Sequence, residues 1–137
     1  MNEIILSLRP EWWEKMISGE KTLEIRKSKP HRFFPPLKVY VHVSGIKGIA
    51  GEFMCNKITT LQGIISGRDL DGILKKSCLS VEQLRECGEN VKRLYAFGVS
   101  DVFPYTSETD YSNAVPLSKF DIKRPPQSWC YVKEATP

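Results

Sequence analysis

Three charged residues, Lys21, Glu24 and Arg26, stand close together in residues 8–27, LRPEWWEKMISGEKTLEIRK. In an extended segment side chains alternate, so Thr22, Glu24 and Arg26 leave one face of a strand while Leu23 and Ile25 leave the other. A carboxylate and a guanidinium then project side by side, about 6–7 Å apart along the strand, with Lys21 entering beside them. Such a trio suits proton transfer, or recognition in which the carboxylate accepts from the amino or imino edge of a base. Arg26 would hold a phosphate or fix Glu24 in place. Trp12 falls off the apolar face of the preceding helix and is the candidate for stacking on a base. The competing readings are a tryptophan that only packs and an ion pair on a solvated face, worth about 0–1 kcal/mol when exposed.

These residues need a helix, a stop and a strand to place them. Pro10 suits the first helical turn, where its missing N–H is no loss. Glu11 and Glu14 put negative charge near the positive end of the helix dipole. Trp13, Met16 and Ile17 recur at helical spacing and form the side expected to be buried. Gly19 is a left-handed terminator. Before the helix, residues 3–8 (EIILSL) read as a short barrel strand.

Further along, residues 27–37 (KSKPHRFFPPL) hold too many prolines for a regular element and read as a cationic, aromatic loop, or as one whose Phe33 and Phe34 cap the open end of a barrel. Residues 38–43 (KVYVHV) alternate, with Val39, Val41 and Val43 inward and Tyr40 and His42 opposite. Residues 49–58 are expected to return as the partner strand, with Gly51 marking a bulge or a close backbone approach. Glu52 is a second strand carboxylate, expected to face water rather than the site. Residues 59–88 read as a helical insert. One helix is expected over 61–65 or 69–76, broken at Gly67, and another starts at the capping box Ser80/Gln83 and ends at Gly88. Lys75 and Lys76 read as a solvated helix end. Residues 92–105 read as one long aromatic strand with a bulge at Gly98. Residues 106–115 read as mobile, 116–126 as a connector, and 127–133 as the closing strand, with Trp129 and Tyr131 on one face.

The whole chain has 137 residues and a net charge of +4, with Lys and Arg at 20 against Asp and Glu at 16. That length predicts one domain with a real core, spanning 1–137 with its core over about 3–133. The small positive excess permits an anionic partner without demanding one. Asn2, Glu3 and Arg9 interrupt any signal-like run, and no apolar stretch approaches the ~20 residues that span a bilayer. Cys55, Cys78, Cys87 and Cys130 are scattered without a paired motif, so reduced thiols, no metal and no cofactor are expected, in a cytoplasmic protein.

The string Gly19 to Arg26, GEKTLEIR, following a short amphipathic helix, resembles the G-x-K-x-x-E-x-R signature of the ASCH domain. Residues 124–132, RPPQSWCYV, resemble the closing strand of one ASCH subgroup, so the likeness runs from Ile4 to Val132. The resemblance implies an α+β fold: a PUA-like β-barrel, mixed and mostly antiparallel, with short helices packed around it. It implies a protein that binds RNA or a nucleotide-like small molecule in a cleft beside Lys21–Arg26. The ligand-binding candidates are Trp12, Lys21, Thr22, Glu24, Arg26, Lys27 and Trp129. Some ASCH proteins are hydrolases. One subgroup acts on acetylated cytidine through a lysine, a threonine and a glutamate. Here Lys21 keeps the lysine, Glu24 occupies the threonine position, and residues 75–78 offer no carboxylate. A ribonuclease reading would use Lys21, Glu24 and Arg26 as the catalytic groups. A protein-interaction module without a nucleic-acid role is the remaining alternative.

Overall fold

The computed structural model describes residues 3–62, 67–107 and 109–132. Among these residues, eight strands and three α-helices run in the order β1 (Glu3–Leu8), α1 (Pro10–Ile17), β2 (Leu23–Arg26), β3 (Leu37–Val43), β4 (Ile49–Cys55), β5 (Ile58–Gln62), α2 (Gly67–Ser77), α3 (Val81–Gly88), β6 (Arg93–Gly98), β7 (Ser100–Pro104) and β8 (Trp129–Tyr131), with a 3-10 turn at Leu117–Phe120 before β8. The fold is α+β.

The strands make two sheets, one of five strands in the order β7-β4-β3-β1-β8 and one of three in the order β2-β6-β5. Every pairing is antiparallel except β1 with β3. Neither sheet closes into a barrel, which corrects the barrel expectation. The reason lies where two expected long strands break. Residues 49–58 divide into β4 and β5, and residues 92–105 divide into β6 and β7, with the halves in different sheets. At the second break the Gly98 N–H donates to the Lys57 carbonyl and the Val99 N–H to that of Thr22, so the backbone leaves one ladder for the other.

The expected helical insert begins as a strand. Leu61 and Gln62 belong to β5, residues 63–66 lie outside the described residues, and α2 takes the later of the two expected helix positions. The Ser80/Gln83 capping box is formed as expected, each side chain bonding the other's backbone N–H. Lys75 and Lys76 are exposed.

The main core lies between α1 and the five-stranded sheet. Val39, Val41 and Val43 point inward with Ile4, Leu6, Phe53 and Phe97, and Trp13 and Met16 of α1 close over them. Gly51 is where Trp13 approaches. A Cβ there would stand 2.5 Å from the Trp13 ring, so only glycine fits, and the β3–β4 register slips beside it. Phe33 packs on this core, whereas Phe34 is exposed. A second cluster, Ile25, Leu84, Leu94 and Ala96, lies under α2 and α3 on the far face of β2 and β6. The segment over residues 106–115 is fastened at Tyr111, which packs on the main core, and at Val115, which exchanges both backbone hydrogen bonds with Ile49. No helix among the described residues is long and apolar enough to cross a membrane.

Candidate functional site

The second cluster determines which way β2 faces. With Ile25 buried under the helices, Glu24 and Arg26 must point toward the five-stranded sheet, into a cleft between the two sheets. Gly19, at φ +85°, turns the chain out of α1, and the Lys21 N–H donates to the Lys15 carbonyl. This aims Lys21 back over the cleft floor.

Lys21 is only 1% exposed. Its Nζ donates to the Ser77 carbonyl oxygen at 2.6 Å, lies 3.3 Å from Glu24 Oε1, and sits 5.1 Å from the centre of the Trp12 ring. Ser77 is the last residue of α2, where carbonyls lack intrahelical partners and the helix dipole is negative. The ammonium therefore caps a helix, pairs a carboxylate and meets an aromatic face together.

Glu24 is 6% exposed, not solvated as a lone strand would leave it. Its Oε2 accepts from Arg26 Nε at 2.7 Å. The rest of the Arg26 fork is engaged by protein: Nη2 donates to the Ser7 carbonyl at 2.6 Å, and Nη1 to the Ser128 hydroxyl and carbonyl at 3.2 and 3.4 Å. Of the two roles open to Arg26, this geometry fits holding Glu24 in place and tying β2 to β1, rather than gripping a phosphate. Glu24 Oε2 accepts from Arg26 and Oε1 is ion-paired with Lys21, and a carboxylate has further lone pairs beyond these.

The cleft has a volume of about 550 Å3, within the range of small-molecule sites. Trp12, Lys21, Glu24, Arg26 and Lys27 all line it. Thr22 and Trp129 do not. Thr22 is exposed and holds its neighbours by backbone bonds to Lys76 and Val99, while the Trp129 ring packs edge-on against Tyr131 and donates to Ser28 Oγ. Glu52 is also elsewhere, bonded to Lys38 and Tyr105.

The cleft also uses residues that side-chain reading did not single out. Ser7 and Ser128 supply oxygen atoms, and Arg9 adds an exposed cation at the rim. Cys87 lines the wall from α3, its thiol pushed up by burial and by the negative charge of Glu24, so it is held protonated. Ser128 was within reach of sequence, lying inside the closing motif. The Ser77 carbonyl was not, because a main-chain atom leaves no residue-type signal. Ser7 Oγ donates to the Pro126 carbonyl at 2.7 Å and lies 3.3 Å from Nδ1 of His42. His42 Nε2 donates to the Ile46 carbonyl. Burial draws His42 below its ordinary value, offset in part by that bond.

No protein-family model matches the chain, and no curated protein does. Solved structures do. The ASCH protein of Zymomonas mobilis has a TM-score of 0.72 at 20% identity, covering 96% of this chain and 88% of that one. A tyrosine-to-phenylalanine variant of it gives 0.73 over 98% and 92%, again at 20% identity. A serine-to-alanine variant gives 0.72 over 96% and 89%. At that identity the likeness is one of fold, and it covers nearly the whole chain: this is the ASCH fold.

Proposed function

We propose that this protein is an ASCH-domain protein that binds a nucleotide, free or at an exposed position in RNA, in the cleft between its two sheets. The observation that carries the proposal is the buried Lys21–Glu24–Arg26 cluster on the cleft floor beside the half-buried Trp12 ring. A carboxylate fixed between two cations is held in place on the cleft floor, and carboxylate oxygens match the amino and imino donors of a base edge. Trp12 offers the ring for stacking, and the exposed Arg9 and Lys27 supply rim cations for phosphate.

A hydrolase working through a covalent intermediate in the same cleft would need an activated nucleophile beside Lys21. Thr22 lies outside the cleft, the Cys87 thiol is held protonated, and the Ser7 hydroxyl proton is directed to the Pro126 carbonyl. These observations favour binding over covalent catalysis by a side chain of the cleft. The four cysteines are free, which accords with a reducing, cytoplasmic setting. The test is calorimetric titration with ribonucleosides and their monophosphates. Binding that quenches tryptophan fluorescence in the wild type and loses that signal in Trp12→Phe is expected. Absence of binding across the panel would refute the proposal.

A further inference from the structure

A second cavity, of about 640 Å3, lies beside the first. The two share a wall. Ser7 lines the first and His42 the second; they are register partners on β1 and β3, joined through Ser7 Oγ and His42 Nδ1. Above them runs a strap in which Pro125 faces the second cavity and Gln127 and Ser128 face the first. The strap is pinned to the wall by the bond from Ser7 Oγ to the Pro126 carbonyl. Residues two apart along this strap line different cavities, so the cavities are immediate neighbours.

The lining of the second cavity indicates what it takes. Among the described residues it contains no carboxylate. Lys47 and Lys123 stand exposed at its edge, and neither makes an ion pair among the described residues. Tyr111, Leu117 and Pro125 give it half-apolar walls. Exposed cations beside an aromatic ring and apolar surface suit a phosphate with an attached base. Without a Glu24 counterpart to accept from a base edge, such a site holds any base alike.

Resting on the nucleotide reading of the first cleft, we infer that the second cavity binds the neighbouring nucleotide of a single-stranded RNA, making an oligonucleotide the ligand. The base is discriminated in the Glu24 cleft and tolerated in the Lys47/Lys123 cavity.

The experiment compares ribonucleoside monophosphates with single-stranded RNA tetranucleotides of each base. It uses the wild type, the double variant Lys47→Ala/Lys123→Ala, the charge-matched control Lys75→Ala/Lys92→Ala, and Glu24→Gln. Lys75 and Lys92 are exposed and line neither cavity. The expected result is at least about tenfold tighter binding of the preferred tetranucleotide than of its monophosphate, as a second site of roughly 1.4 kcal/mol would give. The double variant removes that advantage and leaves the monophosphate unchanged. Its slope of log affinity against log salt falls by roughly 1.4, for two lost phosphate contacts on a single strand. The control keeps both the advantage and the slope. No length advantage in the wild type, or equal weakening by the double variant and the control, would overturn the inference while leaving the first cleft intact. If Glu24→Gln alters neither affinity while the double variant still weakens the tetranucleotide, the reading of the first cleft fails and the second cavity stands alone as an RNA site.

Discussion

Two glutamates in this molecule lie between a pair of hydrogen-bond donors. Glu24 sits between Lys21 and Arg26, Glu52 between Lys38 and Tyr105. The chemistry is alike and the surroundings are not. The side chains of Lys21 and Glu24 are 1% and 8% exposed, those of Lys38 and Glu52 29% and 23%. Lys21 also caps α2 and Arg26 also crosses to β1, whereas Lys38 also meets Tyr40, a neighbour on its own strand. The difference teaches that an ion pair becomes a structural floor when its members take further partners from distant elements. It becomes a candidate site when a cleft opens above it.

Stability breaks the comparison most sharply. Lys21→Met leaves Glu24 buried with one cation fewer and the end of α2 uncapped, which is expected to cost about 3–5 kcal/mol in urea denaturation. Lys38→Met is expected to cost no more than about 1 kcal/mol. Equal losses would mean that burial does not separate the two clusters.

Binding is the next test. Glu24→Gln preserves shape and removes charge, and is expected to weaken nucleotide binding by about 1–3 kcal/mol, measured well below the melting temperature. Glu52→Gln lies outside both cavities and is expected to leave the titration unchanged.

Alkaline pH acts on the other cluster. The Tyr105 hydroxyl is pushed well up, first by burial and then by its bond to Glu52 and that group's charge. Burial alone would lower Lys38, but its bond to Glu52 and the charges of Tyr40 and Glu52 outweigh it and raise the ammonium. Groups raised on folding hold their protons more tightly in the native state. Their stabilisation is full below about pH 10 and declines above it, as the unfolded chain releases protons first. Melting temperatures taken from about pH 8 to about pH 11 are expected to fall less steeply in Tyr105→Phe than in the wild type.

The smallest effect is on the acid side. His42 is drawn down chiefly by burial, so its contribution is present above about pH 6.5 and lost as pH falls through the lower folded value. His42→Gln is expected to flatten the decline of melting temperature between about pH 6.5 and pH 5. An unchanged slope would show that His42 does not titrate differently in the two states.

Local signals made the pieces around the site legible. Pro10 and Gly19 bound α1, the alternation of residues 23–26 set the facing of β2, and Ser80 with Gln83 announced α3. Gly51 signalled the close approach that Trp13 makes. What escaped was long-range. Gly98 marks a bulge in LYAFGVSDVF but not a change of sheet, because the side-chain pattern on either side is equally strand-like. The burial of Glu24 escaped for the same reason: its partners Lys21 and Arg26 are held in turn by Trp12, Ser77, Ser7 and Ser128, and no window around residue 24 contains them all.

The pairing of β1 with β8 has a consequence in time. Leu6 and Trp129 are neighbours in the register, and the cleft needs both Ser7 and Ser128. A ribosome adding roughly 5–20 residues per second takes on the order of ten seconds to pass from one to the other. Throughout that interval the emerging chain carries Lys21, Glu24 and Arg26 with one wall of their site missing. The cleft between the sheets is therefore completed only after translation has passed residue 131.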